Sequence, residues 1–279
     1  MEQHSRHDFL WSLPQPLYVF GCTILTASAF TYQWIRADLL VSGKEWLLNW
    51  RDVRIDAFWV FTLAFIWFPI FSEYYETPVS SVFKALRDAS NFPFKLQAYS
   101  VIGLVVMAMI GIFASEFIGY WAHRLQHRFM LLWRIHATHH HITKMSAARS
   151  DRTHPLEIIS LQLGTATALA YLGASGAVIA VALVFRVTTA YINHSNLPLT
   201  SGVFGWLFNT NEYHQLHHSC NYAQSNSNYG CTVIIWDRIF GTFSAYQPIE
   251  KAGNGTGREL SLIEQITIPF RSNSTLRKL

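Results

Sequence analysis

The sequence predicts an all-α, polytopic membrane protein with about four to five transmembrane helices and a helical cap on the cytoplasmic side. Four features of its composition support a membrane protein. Of the 279 residues, 51% are hydrophobic and 15% are aromatic. Only 14% are charged, against about 25% in a typical soluble domain. The mean hydropathy of +0.17 also favours immersion in lipid.

Charge and cysteine content exclude several other classes of protein. The net charge of +4 is spread along the chain without a basic run, which argues against nucleic acid as a partner. Cys22, Cys220 and Cys231 form no CxxC pair, so neither a zinc ribbon nor a disulfide framework is indicated. Residues 1–16 lack the pattern of a secretory signal, and we expect no cleavage there.

Two apolar segments in the first third of the chain predict membrane spans. Leu17–Ile35 is uncharged and close to the ~20 residues that a spanning helix needs. Ala57–Phe71 is the second such segment. Ser72–Lys95 mixes charges with prolines, so we expect a loop there, with an interfacial amphipathic helix around Val82–Leu86.

Two further apolar segments follow in the middle of the chain. Leu96–Ala122 predicts a third span, in which Glu116 is the only charged residue. The uncharged run between residues 157 and 186 is too long for one straight crossing. It fits either one long tilted helix or a hairpin of two helices, about Leu156–Leu172 and Ala177–Asn193. The histidine pattern described below favours the hairpin, which returns the chain to the same side of the membrane.

Lys and Arg counts orient the predicted spans. Residues 123–154 contain six Lys or Arg residues, and residues 72–95 contain three. Under the positive-inside rule, the side that carries residues 123–154 is cytoplasmic. The polar and aromatic residues after Asn193 are expected to join that loop in the cap.

The histidine pattern is the strongest functional signal in the sequence. Eleven of the 13 histidines lie between His123 and His218. HRLQH places two histidines on one helical face. HxxHH occurs twice, and its spacing brings three imidazoles to one side of a helix. Each copy is therefore expected to offer three nitrogen ligands within one small volume. These motifs contain His123, His127, His136, His139, His140, His214, His217 and His218.

Eight clustered imidazoles predict a centre with two metal ions. One tetrahedral zinc takes about four ligands, so two ions are the economical arrangement. An all-nitrogen set suits iron, copper, zinc or nickel, and ligand type alone leaves the metal open. His141 would point about 100° away from His140 on a helix, and we do not expect it to be a ligand.

HRLQH, HATHH and HQLHH, in this order and with an apolar hairpin between the second and third, resemble the fatty acid hydroxylase and sterol desaturase superfamily of membrane non-haem diiron enzymes. Asn228–Phe243 is similar to the segment that follows the last histidine motif in sterol desaturases and alkylglycerol monooxygenases. The resemblance covers about residues 100–245. It implies N-terminal spans and an interfacial segment in 1–95, a fatty acid hydroxylase-like catalytic domain in 96–245 and a cytoplasmic tail in 246–279.

The resemblance implies two iron ions that activate O2 to attack an unactivated C–H bond of a fatty acyl, sterol or ether lipid. Hydroxylation is the leading expectation. A sterol-type or lipid desaturase using the same site is an alternative, and a histidine-rich metal transporter is another. The eight motif histidines would be the ligands. Related enzymes recruit further histidines at places that His154 and His194 occupy here.

Other polar and aromatic residues are expected to support the metal site. Carboxylates that accept hydrogen bonds from ligand imidazoles would fix their tautomers; the candidates are Glu116, Asp151, Glu212 and Asp237. Glu116 lies inside a span, so it either serves the site or extends to the interface. Arg186 should lie near the cytoplasmic end of its span or pair inside the bundle. Aromatic residues that could line a substrate channel are Tyr120, Trp121, Trp133, Tyr213 and Tyr229.

Electrons are expected to come from another protein. The chain has neither a GxGxxG fingerprint for a dinucleotide nor a CxxCH motif for haem. A separate ferredoxin, cytochrome or pterin donor is therefore implied. No side chain beyond the metal ligands is predicted to be catalytic.

Overall fold

The computed structural model describes residues 50–195, 199–253 and 258–276. This part of the chain is mostly helical and contains no β-strand beyond two isolated β-bridges. The all-α prediction is therefore confirmed. The predicted span Leu17–Ile35 lies outside the described residues, so the number of spans stays a prediction.

Within the part of the chain that the structure describes, three helices are long and apolar enough to cross a membrane: α1, α2 and α5. The helices of the described residues are α1 Trp50–Ala89, α2 Val101–Arg128, α3 Met130–His140, α4 Ile158–Gly164, α5 Gly176–His194, α6 Asn211–His217, α7 Tyr222–Ser225, α8 Ile235–Ile239, α9 Leu262–Thr267 and α10 Asn273–Leu276. A π-helical turn, Thr165–Leu169, extends α4. Short 3-10 turns are formed by Ala147–Asp151, Pro155–Glu157, Gly202–Trp206 and Ile268–Phe270.

The prediction of a loop in residues 72–95 is largely wrong, because α1 continues without a break to Ala89. Pro69 and Pro78 do not end this helix. Each lies shortly after a π-helical turn, Leu63–Trp67 or Ser72–Glu76. A proline lacks an N–H donor and crowds the preceding turn, and a wider turn accommodates both effects.

The start of α1 is fixed to the segment that follows α3. Arg149 lies 3.1 Å from a carboxylate oxygen of Asp52. Arg152 lies 2.5 Å from Asp56 and 2.9 Å from Glu259. These buried ion pairs hold α1, the 3-10 turn Ala147–Asp151 and the C-terminal segment together at one end of the bundle.

The chain reverses direction at the opposite end of the bundle, at residues 172–175. Leu96 pairs with both sides of this turn: its N–H donates to the Leu172 carbonyl, and its own carbonyl accepts from the Ser175 N–H, each at 2.9 Å. Gly173 adopts φ +61°, which glycine tolerates without strain. The two arms of the predicted hairpin are thus present. Whether the α4 arm crosses the bilayer fully stays a prediction.

α2 is the central helix of the bundle. Its Ala108 packs with Leu169 and Val178 from the two arms of the hairpin. Gly164 allows α4 to approach α2 closely, because a Cβ atom there would come within 2.2 Å of the Ser115 carbonyl oxygen. Small residues at such crossings are typical of packed membrane helices. The close crossing places the start of α4 beside the last turns of α2.

Candidate metal centre

Nine histidine side chains meet at the end of the bundle where α2 and α5 finish. They form two groups, and within each group the nitrogens that could bind a metal lie within 4.8 Å of one another. The five-histidine cluster consists of His123, His127, His136, His140 and His217. The four-histidine cluster consists of His139, His194, His214 and His218. The clusters are adjacent, because the rings of His140 and His218 stack with centroids 4.5 Å apart.

Each HxxHH motif supplies both clusters, contrary to the expectation that its three imidazoles share one volume. On α3, His136 and His140 are four residues apart and enter the five-histidine cluster, while His139 enters the other. On α6, His217 enters the five-histidine cluster, while its two companions turn to the other. Positions i and i+4 share a helical face more closely than i+3 and i+4, which are about 100° apart. The motif spacing therefore divides the ligands between two neighbouring sites.

Hydrogen bonds to main-chain carbonyl groups fix the protonated ring nitrogen of several histidines. Nδ1 of His123 lies 2.6 Å from the Tyr229 carbonyl oxygen. Nδ1 of His217 lies 2.8 Å from that of Ser227. A carbonyl oxygen only accepts, so each Nδ1 donates and the Nε2 atom of a neutral ring keeps its lone pair. His194 on α5 is oriented in the same way by a carbonyl of its own helix, at 2.7 Å.

The Nε2 lone pairs then face one another inside the clusters. Nε2 of His123 lies 3.0 Å from Nε2 of His217. Nε2 of His127 and of His140 are buried and have no hydrogen-bond partner among the described residues. Opposed lone pairs repel, and buried acceptors without a partner are costly. A bound cation removes both penalties, so the residues present fit metal ions.

Burial also keeps the cluster histidines neutral. For the three histidines of α3, the pKa lies well below its usual value, because the rings are desolvated and neighbouring histidines disfavour added positive charge. The pKa values of the three histidines of HQLHH are lowered in the same way. Neutral imidazole is the form that binds a metal.

Glu157 is a supporting residue that sequence reasoning missed. Its Oε1 accepts a hydrogen bond from Nδ1 of His136, and the residue is buried. A carboxylate in this position fixes the orientation of a ligand ring and increases its basicity. The available signal was a carboxylate at the head of a long apolar segment, where charge is costly without a partner.

Glu116 lies inside the bundle, so the alternative that it extends to the interface is wrong. The residue is 1% exposed. Its Oε1 accepts a hydrogen bond from the Arg186 guanidinium at 2.8 Å. Arg186 therefore pairs inside the bundle, which is one of the two alternatives predicted for it. Oε2 of Glu116 accepts from the Thr232 main-chain N–H at 2.7 Å. Glu116 therefore acts on a loop and not directly on a histidine.

Asp237 holds the same loop from the other side. Its carboxylate accepts from the main-chain N–H groups of Tyr229 and Gly230 at 2.8 and 2.7 Å. Gly230 is required by the close approach, because a Cβ atom there would lie 2.2 Å from the Val233 carbonyl oxygen. The loop presents the Tyr229 carbonyl that orients His123. Glu116 and Asp237 thus position His123 indirectly, through this loop.

The other two candidate carboxylates make different contacts. Asp151 accepts from the Tyr191 hydroxyl at 2.7 Å, and burial raises the pKa of this aspartate to about 6. Glu212 accepts from the Ser201 N–H at 3.0 Å. These contacts tie the ends of α5 and α6 to neighbouring segments, and neither carboxylate hydrogen-bonds to a cluster histidine.

His154 and His141 lie outside both clusters, whereas His194 lies inside one. Nδ1 of His154 accepts from the Leu156 N–H at 3.3 Å. This contact caps the 3-10 turn Pro155–Glu157 that carries the partner of His136. The ligand set that we propose therefore contains nine histidines and leaves His154 as a capping residue.

A cavity of about 400 Å³ reaches the five-histidine cluster. Trp121 and Tyr229, two of the predicted lining residues, border it together with His127. Trp133 packs against the ring of His127, with centroids 5.2 Å apart. Three of the predicted lining residues do not border this cavity; they are Tyr120, Trp133 and Tyr213.

The fold and the site together place this chain in the class of helical membrane proteins whose histidine motifs gather at one end of the bundle. Residues 108–242 match the family model for fatty acid hydroxylase. The match confirms the superfamily resemblance of the sequence, and the matched segment contains all nine cluster histidines. The wider boundaries 96–245 remain a prediction.

Similar proteins include several that are named for the oxidation of lipids. An ornithine lipid hydroxylase of Rhizobium tropici is 33% identical over 144 residues, covering 50% of this chain and 42% of the relative. Human alkylglycerol monooxygenase is 30% identical over 161 residues (56% and 35%). Methylsterol monooxygenase 2-2 of Arabidopsis thaliana is 28% identical over 171 residues (61% and 62%). The chain thus spans less than two thirds of each relative. No solved structure matches it.

Proposed function

We propose that this protein is an integral membrane, non-haem diiron oxygenase that hydroxylates an unactivated C–H bond of a lipid. The observation that carries the proposal is the pair of buried histidine clusters with inward-facing Nε2 lone pairs. The similarity to a lipid hydroxylase and two lipid monooxygenases supports the reaction type. Two iron ions, when bound, would activate O2 for attack on the C–H bond.

The side chains of this protein hold and orient the site. One ion would be held by the five-histidine cluster and the other by the four-histidine cluster. Glu157 and the Tyr229 carbonyl fix two ligand rings by accepting their Nδ1 protons. The burial of eight of the nine histidines excludes water. His127 is the one that is partly exposed, so the substrate would approach on its side.

The proposal places the active site on the cytoplasmic face, with electrons supplied by a separate ferredoxin, cytochrome or pterin. Of the six Lys and Arg residues of 123–154, Arg149 and Arg152 are buried in ion pairs. The other four are at least partly exposed near the ligand-bearing end of α2; they are Arg124, Arg128, Arg134 and Lys144. A basic surface there would suit the cytoplasmic side and an acidic electron carrier.

A lipid desaturase could use the same ligands, and the mass of the product separates the two reactions. Hydroxylation adds an oxygen atom, whereas desaturation removes a pair of hydrogens. A metal transporter is less consistent with the arrangement, because a transport path needs ligands near the middle of the spans. Here the histidines gather at one end of the bundle.

The experiment that tests this function has two parts. The purified full-length protein should bind close to two metal ions per chain through nitrogen, as elemental analysis and X-ray absorption would show. Cells that express it should then contain lipids with one added oxygen, absent when His139→Ala is expressed instead. His154→Ala serves as the matched histidine control. One ion or none per chain after iron reconstitution would contradict the dinuclear site, and unchanged lipids would contradict the reaction.

A further inference from the structure

The cavity beside the five-histidine cluster is bordered by two arginines. Arg124 and Arg128 lie four residues apart at the end of α2, and both border the same space as His127. Residues four apart on a helix are neighbours, about 6 Å between Cβ atoms. Two guanidinium groups therefore converge on one cavity next to the candidate metal site.

Aromatic groups hold Arg124 in place without neutralising its charge. Its guanidinium lies 5.3 Å from the ring centroid of Trp121 and donates to the Tyr120 hydroxyl at 2.9 Å. Asp237 is within Coulombic range, but its oxygens accept hydrogen bonds from other groups. Among the described residues, Arg124 forms no ion pair.

Arg128 is exposed and makes no hydrogen bond, ion pair or ring contact with any described residue. Its five N–H donors are available to a ligand. Paired guanidinium groups bind phosphate and carboxylate groups by charge-assisted hydrogen bonds. The cavity thus offers donors and positive charge together, with aromatic surface beside them.

We infer that this cavity binds the anionic group, a phosphate or a carboxylate, of the lipid substrate, and that Arg124 and Arg128 recognise it. This inference rests on the proposed oxygenase function, because that function defines the lipid as the substrate. A space of about 400 Å³ suits a polar group with a few carbons and not two complete acyl chains. Because His127 borders the same space, the oxidised carbon lies close to the anionic group.

Calorimetry on the detergent-solubilised, full-length protein tests this assignment without turnover. The probes are octyl phosphate, octanoate, octanol and inorganic phosphate. We expect the preferred octyl anion to bind at least about tenfold more tightly than octanol. The stronger of the two anions then identifies whether the natural group is a phosphate or a carboxylate.

Variants assign the effect to the two arginines. Arg124→Gln/Arg128→Gln should reduce binding of the octyl anion to the level of octanol. Arg128→Gln alone, which removes no contact within the described residues, should weaken it by about three- to tenfold. Arg271→Gln, on the exposed C-terminal segment, is the control for a general loss of charge and should bind as the wild type does.

Three results would overturn the inference. They are equal binding of octanol and both octyl anions, an equal loss in Arg271→Gln, and inorganic phosphate binding as tightly as octyl phosphate. The metal content and lipid products of the same preparations are measured in parallel. If metal and product are present while the anion preference is absent, only this inference fails. If the preference is present while metal or product is absent, the proposed function fails.

Discussion

The two histidine clusters differ in how they are closed and supported. In the five-histidine cluster, one ligand is partly exposed beside a cavity, and outside groups fix at least three rings, including His136 through the Glu157 carboxylate. All members of the four-histidine cluster are buried. Nδ1 of His139 and of His218 have no hydrogen-bond partner among the described residues.

This difference suggests a division of roles between two neighbouring sites. On the proposed function, the five-histidine cluster would be the side that meets substrate, because the cavity lies beside its His127. Its fifth histidine and the hydrogen bonds that orient its rings would keep a metal bound although the cluster is open to the cavity on one side. The four-histidine cluster has no ligand to spare, so it depends on complete burial.

Removing one ligand from each cluster should affect the clusters unequally. His217→Ala leaves four imidazoles in its cluster, whereas His139→Ala leaves three. Turnover should fall in both by more than the 10- to 100-fold loss that is typical when a supporting partner is removed. Elemental analysis should find close to two ions per chain in His217→Ala and about one in His139→Ala. Equal metal loss in both would remove the proposed difference.

Glu157→Gln should weaken the five-histidine cluster alone. The amide keeps the size of the side chain but loses the charge that orients His136, so metal affinity or turnover should fall by about 10- to 100-fold. A chelator competition that follows the loss of each ion measures this effect. Glu212→Gln is the matched control, since Glu212 bonds to Ser201 and not to a histidine. Similar losses in the two variants would show that Glu157 has no special role.

His154→Ala should leave both clusters intact, because this histidine lies outside them. Loss of its cap on the turn that follows should cost about 1 kcal/mol of stability. Thermal unfolding followed by fluorescence measures that cost, and elemental analysis should still find two ions per chain. Loss of one ion would return His154 to the ligand set.

The smallest effect is expected at α9, which contributes no ligand. The Arg258 guanidinium and Ser261 lower the pKa of Glu264 to about 2, below the ~4.3 of an unperturbed glutamate. Its stabilising contribution is thus present above pH ~4.3 and is lost as the pH falls towards 2. Glu264→Gln should lose about 0.5–1 kcal/mol of helix capping at pH 7. Hydrogen exchange should rise in residues 262–267 and stay unchanged in both clusters; faster exchange at the histidines would contradict this separation.

The sequence predicts which histidines form the clusters better than it predicts how they divide between the two clusters. Motif spacing identifies residues such as His136 and His140, because helical periodicity is a local property. Spacing does not show that His123 meets His217, 94 positions away, since that contact depends on how α2 and α6 pack. Glu157 was missed for the same reason, as its partner is 21 residues earlier in the chain.

The helical spans show a similar limit. The apolar run of α2 was predicted because composition alone defines it. The second half of α1 was not, because Pro78 and several charges resemble a loop. Only the tertiary fold shows that a π-helical turn precedes that proline and that Glu76 accepts a hydrogen bond from Gln162 of α4 at 3.1 Å.

The opposed lone pairs of the clusters have a consequence for the biosynthesis of this protein. The ligands leave the ribosome in order, from His123 at the end of α2 to His218, so neither cluster can be complete until the last motif has been made. The bundle satisfies its main-chain hydrogen bonds within each helix and can insert earlier. Because free energy of metal binding contributes to folding, metal uptake would be a late step of maturation. Without metal, the chain would then be a correctly inserted bundle whose histidine-cluster region is incompletely folded. Cellular quality control could distinguish this form from the mature protein.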